Sequence, residues 1–232
     1  MDDFVSILTV TKRDGWQQRA VEQVKKQKLQ NFIWVIVHEN NFSGIEPDGL
    51  PVLLVGAPKK TRISNLNASL NEGLRHCSGK YVIFYQDFID LPQNCFKKLI
   101  HQASERHFVT TLTCDLDGNP DGRYSGSNDC VWCEPSMWES NVAIAPLSVI
   151  RRLGGFDEDY DNGWSWDNVN IAERAAMLGC RFRIDETNRP RLIPHRKEPD
   201  INPSMPLNGD LHARKMDAVW SGEAPICLDF IK

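Results

Sequence analysis

The sequence has no long apolar run and no excess of basic residues. No segment approaches the roughly 18–20 apolar residues that a membrane-spanning helix needs. The net charge of −4 argues against a nucleic-acid-binding protein, which would usually be basic. The acidic start, Met1-Asp2-Asp3, lacks the basic region of a secretory signal peptide. We therefore expect no nucleic-acid partner and no transmembrane segment.

The sequence also lacks a regular cysteine pattern. Its cysteines number seven, which is odd, and their spacing is irregular. Such usage favours reduced thiols over a disulfide framework and predicts a cytoplasmic protein. Cys130 and Cys133 have the spacing of half a zinc site, but no second pair or suitable histidine accompanies them. Coincidence is the preferred interpretation of that spacing.

What the chain does contain is an alternation of strands and helices. Its 232 residues, 41% of them hydrophobic, suffice for one large domain or for one domain with a tail. Alternation over the first hundred residues predicts an α/β fold, with a mostly parallel central sheet and helices on both faces. Strands are predicted at 4–11, 32–37, 51–55, 81–85, 108–114, 140–145 and 181–184, and helices at 16–28, 65–77, 95–105, 147–153 and 167–178.

Two stretches carry no such pattern. Residues 115–135 are rich in Gly, Asp, Asn and Ser and are predicted to form a loop, whose length is typical of a binding loop. After residue 188 the chain is Pro-rich and irregular. The expected organisation is one domain over residues 1–188. An irregular C-terminal arm over residues 189–232 would pack on or near the active site.

The chain is organised around residues 81–92, which read YVIFYQDFIDLP. The apolar first half predicts a strand buried on both faces, and the run ends at Gln86-Asp87. A carboxylate just past the end of such a strand lies where open α/β sheets bind ligands. Asp87 is therefore the first candidate for a site residue. The alternative is that its carboxylate only caps a helix start near Pro92.

At this point the sequence resembles a family, the GT-A fold glycosyltransferases of the family 2 type. The match runs in order from about residue 4 to residue 195. Of the matching segments, only GGFDE fits the family pattern outright. All of the segments occur in the order and with the spacing of the family's motifs. The segments are residues 5–13 (VSILTVTKR), 34–41 (WVIVHENN), 71–74 (NEGL), 79–81 (GKY), 154–158 (GGFDE) and 163–168 (GWSWDN).

The resemblance implies a single GT-A domain and an inverting glycosyltransferase of the hexosyltransferase type. The donor would be a nucleotide-diphosphate sugar, UDP- or GDP-linked, and the acceptor a hydroxyl of a glycan or related molecule. Mn²⁺ or Mg²⁺ would assist by neutralising the leaving diphosphate.

The sequence departs from the family pattern at three places. The D-x-D motif falls on Gln86-Asp87-Phe88, or ends at Asp87 if the alignment slips by one residue. The E-D pair falls on Asp167-Asn168, and Leu70 replaces an expected arginine. These departures motivate the alternative of a catalytically inactive nucleotide-sugar binding protein. A nucleotidyltransferase is a third hypothesis, but residues 9–15 supply no Gly-rich basic phosphate loop.

The resemblance also assigns roles to particular acids and a histidine. Asp87 would bind the cation, and His195 would return to it. Asp167 would be the general base that takes the acceptor proton. For His195 the alternative is an ordinary surface or structural histidine, and for Asp167 it is a helix cap, which is compatible with the base role.

The remaining predicted site residues would surround the two substrates. Trp164 and Trp166 would stack on the acceptor sugar, with core packing as the alternative. The predicted nucleotide-sugar-binding residues are Thr11, Arg13, Glu39, Asn71, Gln86 and Asp87. For Thr11, Arg13 and Glu39 the alternative is ordinary turn chemistry.

Overall fold

The structure is a computed structural model. It describes residues 3–11, 13, 15–38, 48–59, 62, 64–120, 122–163, 165–193 and 205–231, without the side chains of 205–207. The strands are β1 (Val5–Thr11), β2 (Phe32–His38), β3 (Val52–Gly56), β4 (Tyr81–Tyr85), β5 (Ile89–Asp90), β6 (His107–Thr111), β7 (Cys130–Cys133), β8 (Val142–Pro146), β9 (Arg181–Asp185) and β10 (Arg191–Leu192). The helices are α1 (Gln17–Lys26), α2 (Leu66–His76), α3 (Cys95–Gln102), α4 (Leu147–Leu153), α5 (Asp167–Met177) and α6 (Met205–Trp220).

Eight strands form one central sheet in the order β3-β2-β1-β4-β8-β6-β9-β7. Strands β3, β2, β1 and β4 are mutually parallel, and β6 and β9 run in the same direction. Only β8 and β7 are antiparallel to their neighbours. The predicted α/β fold with a mostly parallel sheet is confirmed. The C-terminal ends of β1, β4, β6 and β9 consequently lie along one edge of the sheet.

Helices cover both faces of this sheet. Along β1, Val5 and Ile7 pack into the core cluster that includes residues of α1 and α3. Leu8 and Val10 point the other way, into the cluster that includes residues of α2, α4 and α5. Because every residue of β1 is buried, its residues are apolar or β-branched on both faces; the exception, Ser6, donates its hydroxyl to the carbonyl of Ser78.

The structure corrects two predictions of irregular chain. Strand β7 lies inside the predicted loop 115–135 and pairs with β9. It is only four residues long and carries the exposed Trp132, so its sequence gives a weak strand signal. Helix α6 occupies sixteen residues of the C-terminal arm, which is therefore not irregular there. Pro206 lies in its first turn, where the missing N–H has no helical partner to lose.

A strand predicted to reach residue 114 ends at Thr111, where the next N–H, of Leu112, is shared between the carbonyls of Asp185, the last residue of β9, and of Asn188 beyond it. No helix among the described residues combines the length and the apolar character needed to cross a bilayer.

Candidate active site

The first cluster of predicted residues forms where β1 and β4 end side by side. Thr11 is the last residue of β1, and Asp87 follows β4 by two residues. The Thr11 hydroxyl donates to Asp87 Oδ2 at 2.5 Å, and the Arg13 guanidinium donates to Asp87 Oδ1. The Asp87 side chain is fully buried, whereas that of Arg13 is 32% exposed. Three predicted nucleotide-binding residues are thus brought together.

The position of Arg13 is fixed by more than this ion pair. Its guanidinium lies over the Phe88 ring, 4.8 Å from the ring centroid. Its backbone N–H donates to Thr11 Oγ1 at 3.3 Å. The guanidinium therefore presents a partly exposed positive charge at the carboxyl edge of the sheet, the edge at which open α/β sheets bind ligands.

A small two-stranded sheet brings the chain after β9 back to this cluster. Strand β10 pairs antiparallel with β5, and the N–H of Ile193 donates to the carbonyl of Phe88 at 2.9 Å. Residue 193 thus lies beside the neighbour of Asp87. The predicted metal ligand His195 lies outside the described residues, as does Glu39. Both assignments stay predictions.

Gln86 connects the cluster at the ends of β1 and β4 to the loop before β8. Its backbone N–H donates to the carbonyl of Asn141 at 3.0 Å. In the same loop, the Asn141 amide donates to Glu139 Oε2 at 2.8 Å. The negative charge of Glu139 contributes to the raised pKa of Asp167. The loop before β8 therefore contacts Gln86 and also acts electrostatically on Asp167.

Asp167 is the first residue of α5 and is 8% exposed. Burial raises the pKa of its carboxyl to about 6, although the N–H groups of Asp167 and Asn168 oppose that rise. The carboxylates of Asp161 and Glu139 add to it. A carboxylate with a pKa near neutrality is suited to general-base work. The carboxylate also accepts from N–H groups at the start of α5, although the N-cap position itself is Trp166. The base role of Asp167 stays a prediction.

The residues before Asp167 adopt an unusual backbone conformation. Ser165 and Trp166 have φ angles of +72° and +73°, in the left-handed region that favours glycine. The family pattern that this segment resembles has two glycines here. The Trp166 ring stacks on His212 of α6, with centroids 4.9 Å apart and an interplanar angle of 28°. Trp166 is 36% exposed at the start of α5, and Trp164 lies outside the described residues.

Helix α6 holds this backbone from the side away from the sheet. The Asn208 amide donates to the carbonyls of Tyr160 and Ser165, at 3.1 and 3.0 Å. His212 contacts the Tyr160 hydroxyl at 3.1 Å and the Glu173 carboxylate at 3.2 Å. These residues were missed at the sequence level, because nothing in the local pattern links residue 208 to residue 165.

The GGFDE segment is tied to helix α2. The Asn71 amide donates to the carbonyl of Phe156 at 2.8 Å and to Glu158 Oε1 at 3.0 Å, and its oxygen accepts from the N–H of Phe156 at 2.8 Å. A Cβ at Gly155 would lie 2.3 Å from that oxygen, so only glycine fits there. The structure gives Asn71 a buried bracing position, and its predicted contact with the nucleotide sugar stays a prediction.

Asp161 supplies a further brace. Its carboxylate accepts from the N–H groups of Asn67 and Ala68 in the first turn of α2, at 2.9 and 3.0 Å. Residues 156–161 therefore connect α2 to the segment that leads into Asp167. Buried and partly buried hydrogen bonds thus fix residues 156–161 to α2.

Among the described residues at the ends of β1 and β4, the carboxylate that would serve a divalent cation as a ligand is that of Asp87. Among the described residues, no three His, Cys, Asp or Glu side chains form a group able to hold a metal ion. Asp87 nevertheless offers carboxylate oxygen, the donor that Mg²⁺ and Mn²⁺ prefer, and a cation of this kind is commonly held by one or two carboxylates plus substrate phosphates. The donor set fits a cation that arrives with a diphosphate.

Comparison with known proteins identifies the fold. No protein-family model and no curated protein matches the chain by sequence. GalNAc-T7, solved with UDP, GalNAc and Mn²⁺, matches with a TM-score of 0.64 at 15% identity over 83% of this chain. TarS of S. aureus matches with a TM-score of 0.60 at 12% identity over 82%. A mycobacterial protein matches with a TM-score of 0.58 at 10% identity over 86%.

The chain spans 44% of the GalNAc-T7 chain and 36% of the TarS chain, so it corresponds to less than half of each. Identities this low bear on the fold alone. The polypeptide has the GT-A glycosyltransferase fold.

Proposed function

Starting from this GT-A fold, we propose that the protein is an inverting glycosyltransferase. It would transfer a sugar from a UDP- or GDP-linked donor to an acceptor hydroxyl of a glycan or related molecule. The observation that carries the proposal is a pair of carboxylates in contrasting environments. Asp87 is paired with a guanidinium, whereas burial raises the pKa of Asp167 to about 6. Contrasting environments of this kind are typical of groups with different catalytic roles.

The donor side of the proposed site lies at the ends of β1 and β4. Thr11, Arg13 and Gln86 would contact the nucleotide sugar, together with Glu39 and Asn71. Asp87 and His195 would hold Mn²⁺ or Mg²⁺, which supplies positive charge to the leaving diphosphate when it is bound. Arg13 supplies further positive charge from the chain itself.

The acceptor side lies at the start of α5. Asp167 takes the proton of the acceptor hydroxyl as that oxygen forms its bond to the anomeric carbon. The bond from that carbon to the diphosphate oxygen breaks, and its electron pair leaves with the diphosphate. This single displacement inverts the anomeric centre. Trp166, and with it Trp164, would present a flat face to the acceptor sugar.

A second candidate function is nucleotide-sugar binding without turnover. It is favoured by the identity of three positions: Gln86 and Phe88 flank the remaining acid of the D-x-D motif, and Asn168 replaces the second acid of the E-D pair. The rest of the proposed organisation is common to both functions. It consists of a domain over residues 1–188 and an arm over 189–232 near the active site, in a protein of the cytoplasm. The absence of a disulfide among the seven cysteines, all of them described, supports that location.

The test separates the two functions. UDP and GDP are titrated by calorimetry with Mn²⁺ present, and release of nucleotide diphosphate from a panel of donors is then followed with and without sugar acceptors. Binding with acceptor-dependent release supports transfer. Binding without release from any donor supports the binding protein, and failure to bind either nucleotide rejects both.

The cation ligand is tested by Asp87→Ala. Binding at 100 times the dissociation constant stabilises a protein by about 2.7 kcal/mol, so loss of most Mn²⁺-dependent stabilisation by nucleotide diphosphate is measurable. An unchanged melting shift in the variant would reject Asp87 as the ligand.

A further inference from the structure

The ion pair between Arg13 and Asp87 lies at the carboxyl edge of the sheet, where the proposed function places the negatively charged diphosphate of the donor. We infer that Arg13 exchanges partners. It holds the Asp87 carboxylate in the nucleotide-free protein, and it leaves Asp87 for the donor's diphosphate when a divalent cation takes that carboxylate. The inference rests on the proposed function and adds to it a competition between a side chain and the cation.

The first step concerns which partner of Asp87 is able to move. Thr11 is the last residue of β1 and is buried, so its hydroxyl fixes one oxygen of the carboxylate at 2.5 Å. Arg13 bonds to the other oxygen and is about one-third exposed. A fully buried carboxylate held at one oxygen by a strand residue has little freedom to turn. The guanidinium is therefore the partner that moves.

The second step concerns charge. A divalent cation bound to Asp87 Oδ1 and a guanidinium donating to the same oxygen would place two positive groups within about 4–5 Å of each other, and like charges repel strongly at that separation. The two groups accordingly compete for the carboxylate. In the nucleotide-free protein Arg13 compensates the buried charge of Asp87, which is costly to leave uncompensated.

The third step concerns where the guanidinium goes. An arginine has five N–H donors arranged as a fork that matches the oxygens of a phosphate. The Phe88 ring lies under the guanidinium at 4.8 Å and keeps the side chain at the carboxyl edge of the sheet after it leaves Asp87. A diphosphate bound at that edge is the nearest anion that the proposed function supplies.

The first measurement is the affinity of the nucleotide-free protein for Mn²⁺, followed by the electron paramagnetic resonance signal of the unbound ion. Arg13→Gln removes the competing charge, and we expect Mn²⁺ to bind about tenfold more tightly, since charged hydrogen bonds contribute factors of this size. Arg19→Gln is the matched control. Arg19 is 37% exposed and pairs with Asp90 at 2.7 Å, and its loss should leave Mn²⁺ affinity unchanged. Asp87→Asn should abolish binding in both backgrounds.

The second measurement is nucleotide affinity at saturating Mn²⁺. Arg13→Gln should bind UDP or GDP about tenfold more weakly, because a charged phosphate contact is lost. Uridine or guanosine, which has no phosphate, should bind both proteins equally. The combination of tighter Mn²⁺ binding and weaker diphosphate binding in one variant is the signature of partner exchange. Arg13→Lys keeps the positive charge but lacks the forked donors of arginine. Its affinities for Mn²⁺ and for the nucleotide should lie between those of wild type and of Arg13→Gln. This second variant keeps the inference testable if Arg13→Gln folds poorly.

The outcomes distinguish a failure of the inference from a failure of the proposed function. Unchanged or weaker Mn²⁺ binding in Arg13→Gln overturns the exchange, even where wild type binds UDP or GDP normally. An unchanged diphosphate affinity overturns the destination of the guanidinium. A wild-type protein that binds neither UDP nor GDP in the presence of Mn²⁺ rejects the proposed function, and the exchange with it.

Discussion

At the scale of single residues, burial is what distinguishes Asp167 from the other acids of the site. Its carboxylate is 8% exposed and lies within electrostatic range of Asp161 and Glu139. Few groups nearby compensate this negative charge beyond the two N–H groups at the start of α5. The protein therefore keeps a carboxylate buried at a cost in stability, at a position where the proposed reaction needs a base.

Asp167→Asn tests the proposed base directly. The substitution keeps the size of the side chain but removes its basicity, and loss of a general base typically lowers rates by about 10²–10⁴-fold. Donor affinity should survive, because the nucleotide is expected at the ends of β1 and β4. Transfer rate and donor affinity are measured on the same preparation. A near-normal rate would eliminate Asp167 as the base.

The same substitution should change stability in a pH-dependent way. The pKa of Asp167 rises from 3.8 to about 6 on folding, so wild type loses stability as the pH rises through this interval. One pKa unit corresponds to about 1.4 kcal/mol, so the full loss approaches roughly 3 kcal/mol. Asp167→Asn does not titrate and caps a helix about as well as Asp. The free energy of unfolding is measured in urea at pH 4, 5, 6 and 7. The stability of the variant relative to wild type should increase as the pH rises to 6. A difference that stays constant with pH would contradict the assignment.

Ser165 allows a test of backbone strain that leaves Asp167 untouched. Its φ of +72° is disfavoured for any residue with a Cβ, and its side chain is exposed. Ser165→Gly should therefore be more stable than Ser165→Ala by about 1 kcal/mol in urea unfolding, because only glycine adopts this conformation without steric cost. Equal stability of the two variants would mean that the segment is not strained.

At the scale of secondary-structure elements, α6 contacts the segment that leads into Asp167. Besides Asn208 and His212, it contributes Lys215, whose ammonium contacts Asp157 at 2.6 Å and Asp159 at 2.8 Å. These contacts connect the arm to the acidic segment after GGFDE, and through it to α5. A helix outside the sheet thus fixes the loop that carries the candidate base.

Asn208→Ala measures this bracing. It removes the donor to the carbonyls of Tyr160, in a buried contact, and of Ser165, in a partly buried one, and a buried polar group left without its partner typically costs about 1–3 kcal/mol. Hydrogen exchange should become faster in the segment 160–170. Asp210→Ala, an exposed position on the same helix, is the control and should change neither quantity. Unchanged exchange in Asn208→Ala would show that α6 does not hold this loop.

At the scale of the whole molecule, the central sheet consists of a parallel half and a mixed half. Its parallel half, β3-β2-β1-β4, ends in the cluster of Thr11, Arg13 and Asp87. Its mixed half, β8-β6-β9-β7, begins with β8, antiparallel to β4. That reversal brings the loop of Glu139 and Asn141 to the carboxyl end of β4. The site arises where the two halves meet, as expected for ligand sites in open α/β sheets.

Thiol reactivity reports on the integrity of this sheet and its cores. Burial raises the pKa of Cys77 and of Cys95 to about 12, so neither thiol is reactive in the native state. We expect Cys227, which is only partly buried, to be labelled first by a disulfide reagent at pH 8, whereas Cys77 and Cys95 react at rates set by unfolding. Mass spectrometry identifies the order, and denatured protein, which should label at all seven positions, provides the reference. Rapid labelling of Cys77 would contradict the packing described.

The sequence by itself determined the elements whose signal is local. Continuous apolar runs predicted the central strands, and residues 81–85 and 147–153 were predicted with their observed bounds. The strand-end position of Asp87 followed from the same pattern. Local patterns suffice there because burial on both faces, helix capping and turn formation depend on residues only a few positions apart.

Tertiary structure alone decided which of these residues meet. The ion pair between Arg13 and Asp87 joins positions 74 residues apart, and the contact from Asn208 to Ser165 spans 43. Sequence reasoning read α6 as irregular, although packing on residues 160–170 gives the helix its partners. The buried contact of Asn71 with GGFDE likewise joins residues far apart in the chain, and its predicted contact with the nucleotide sugar stays a prediction. The physical reason is that such contacts are selected by the packing of the whole chain, and no local propensity encodes the partner.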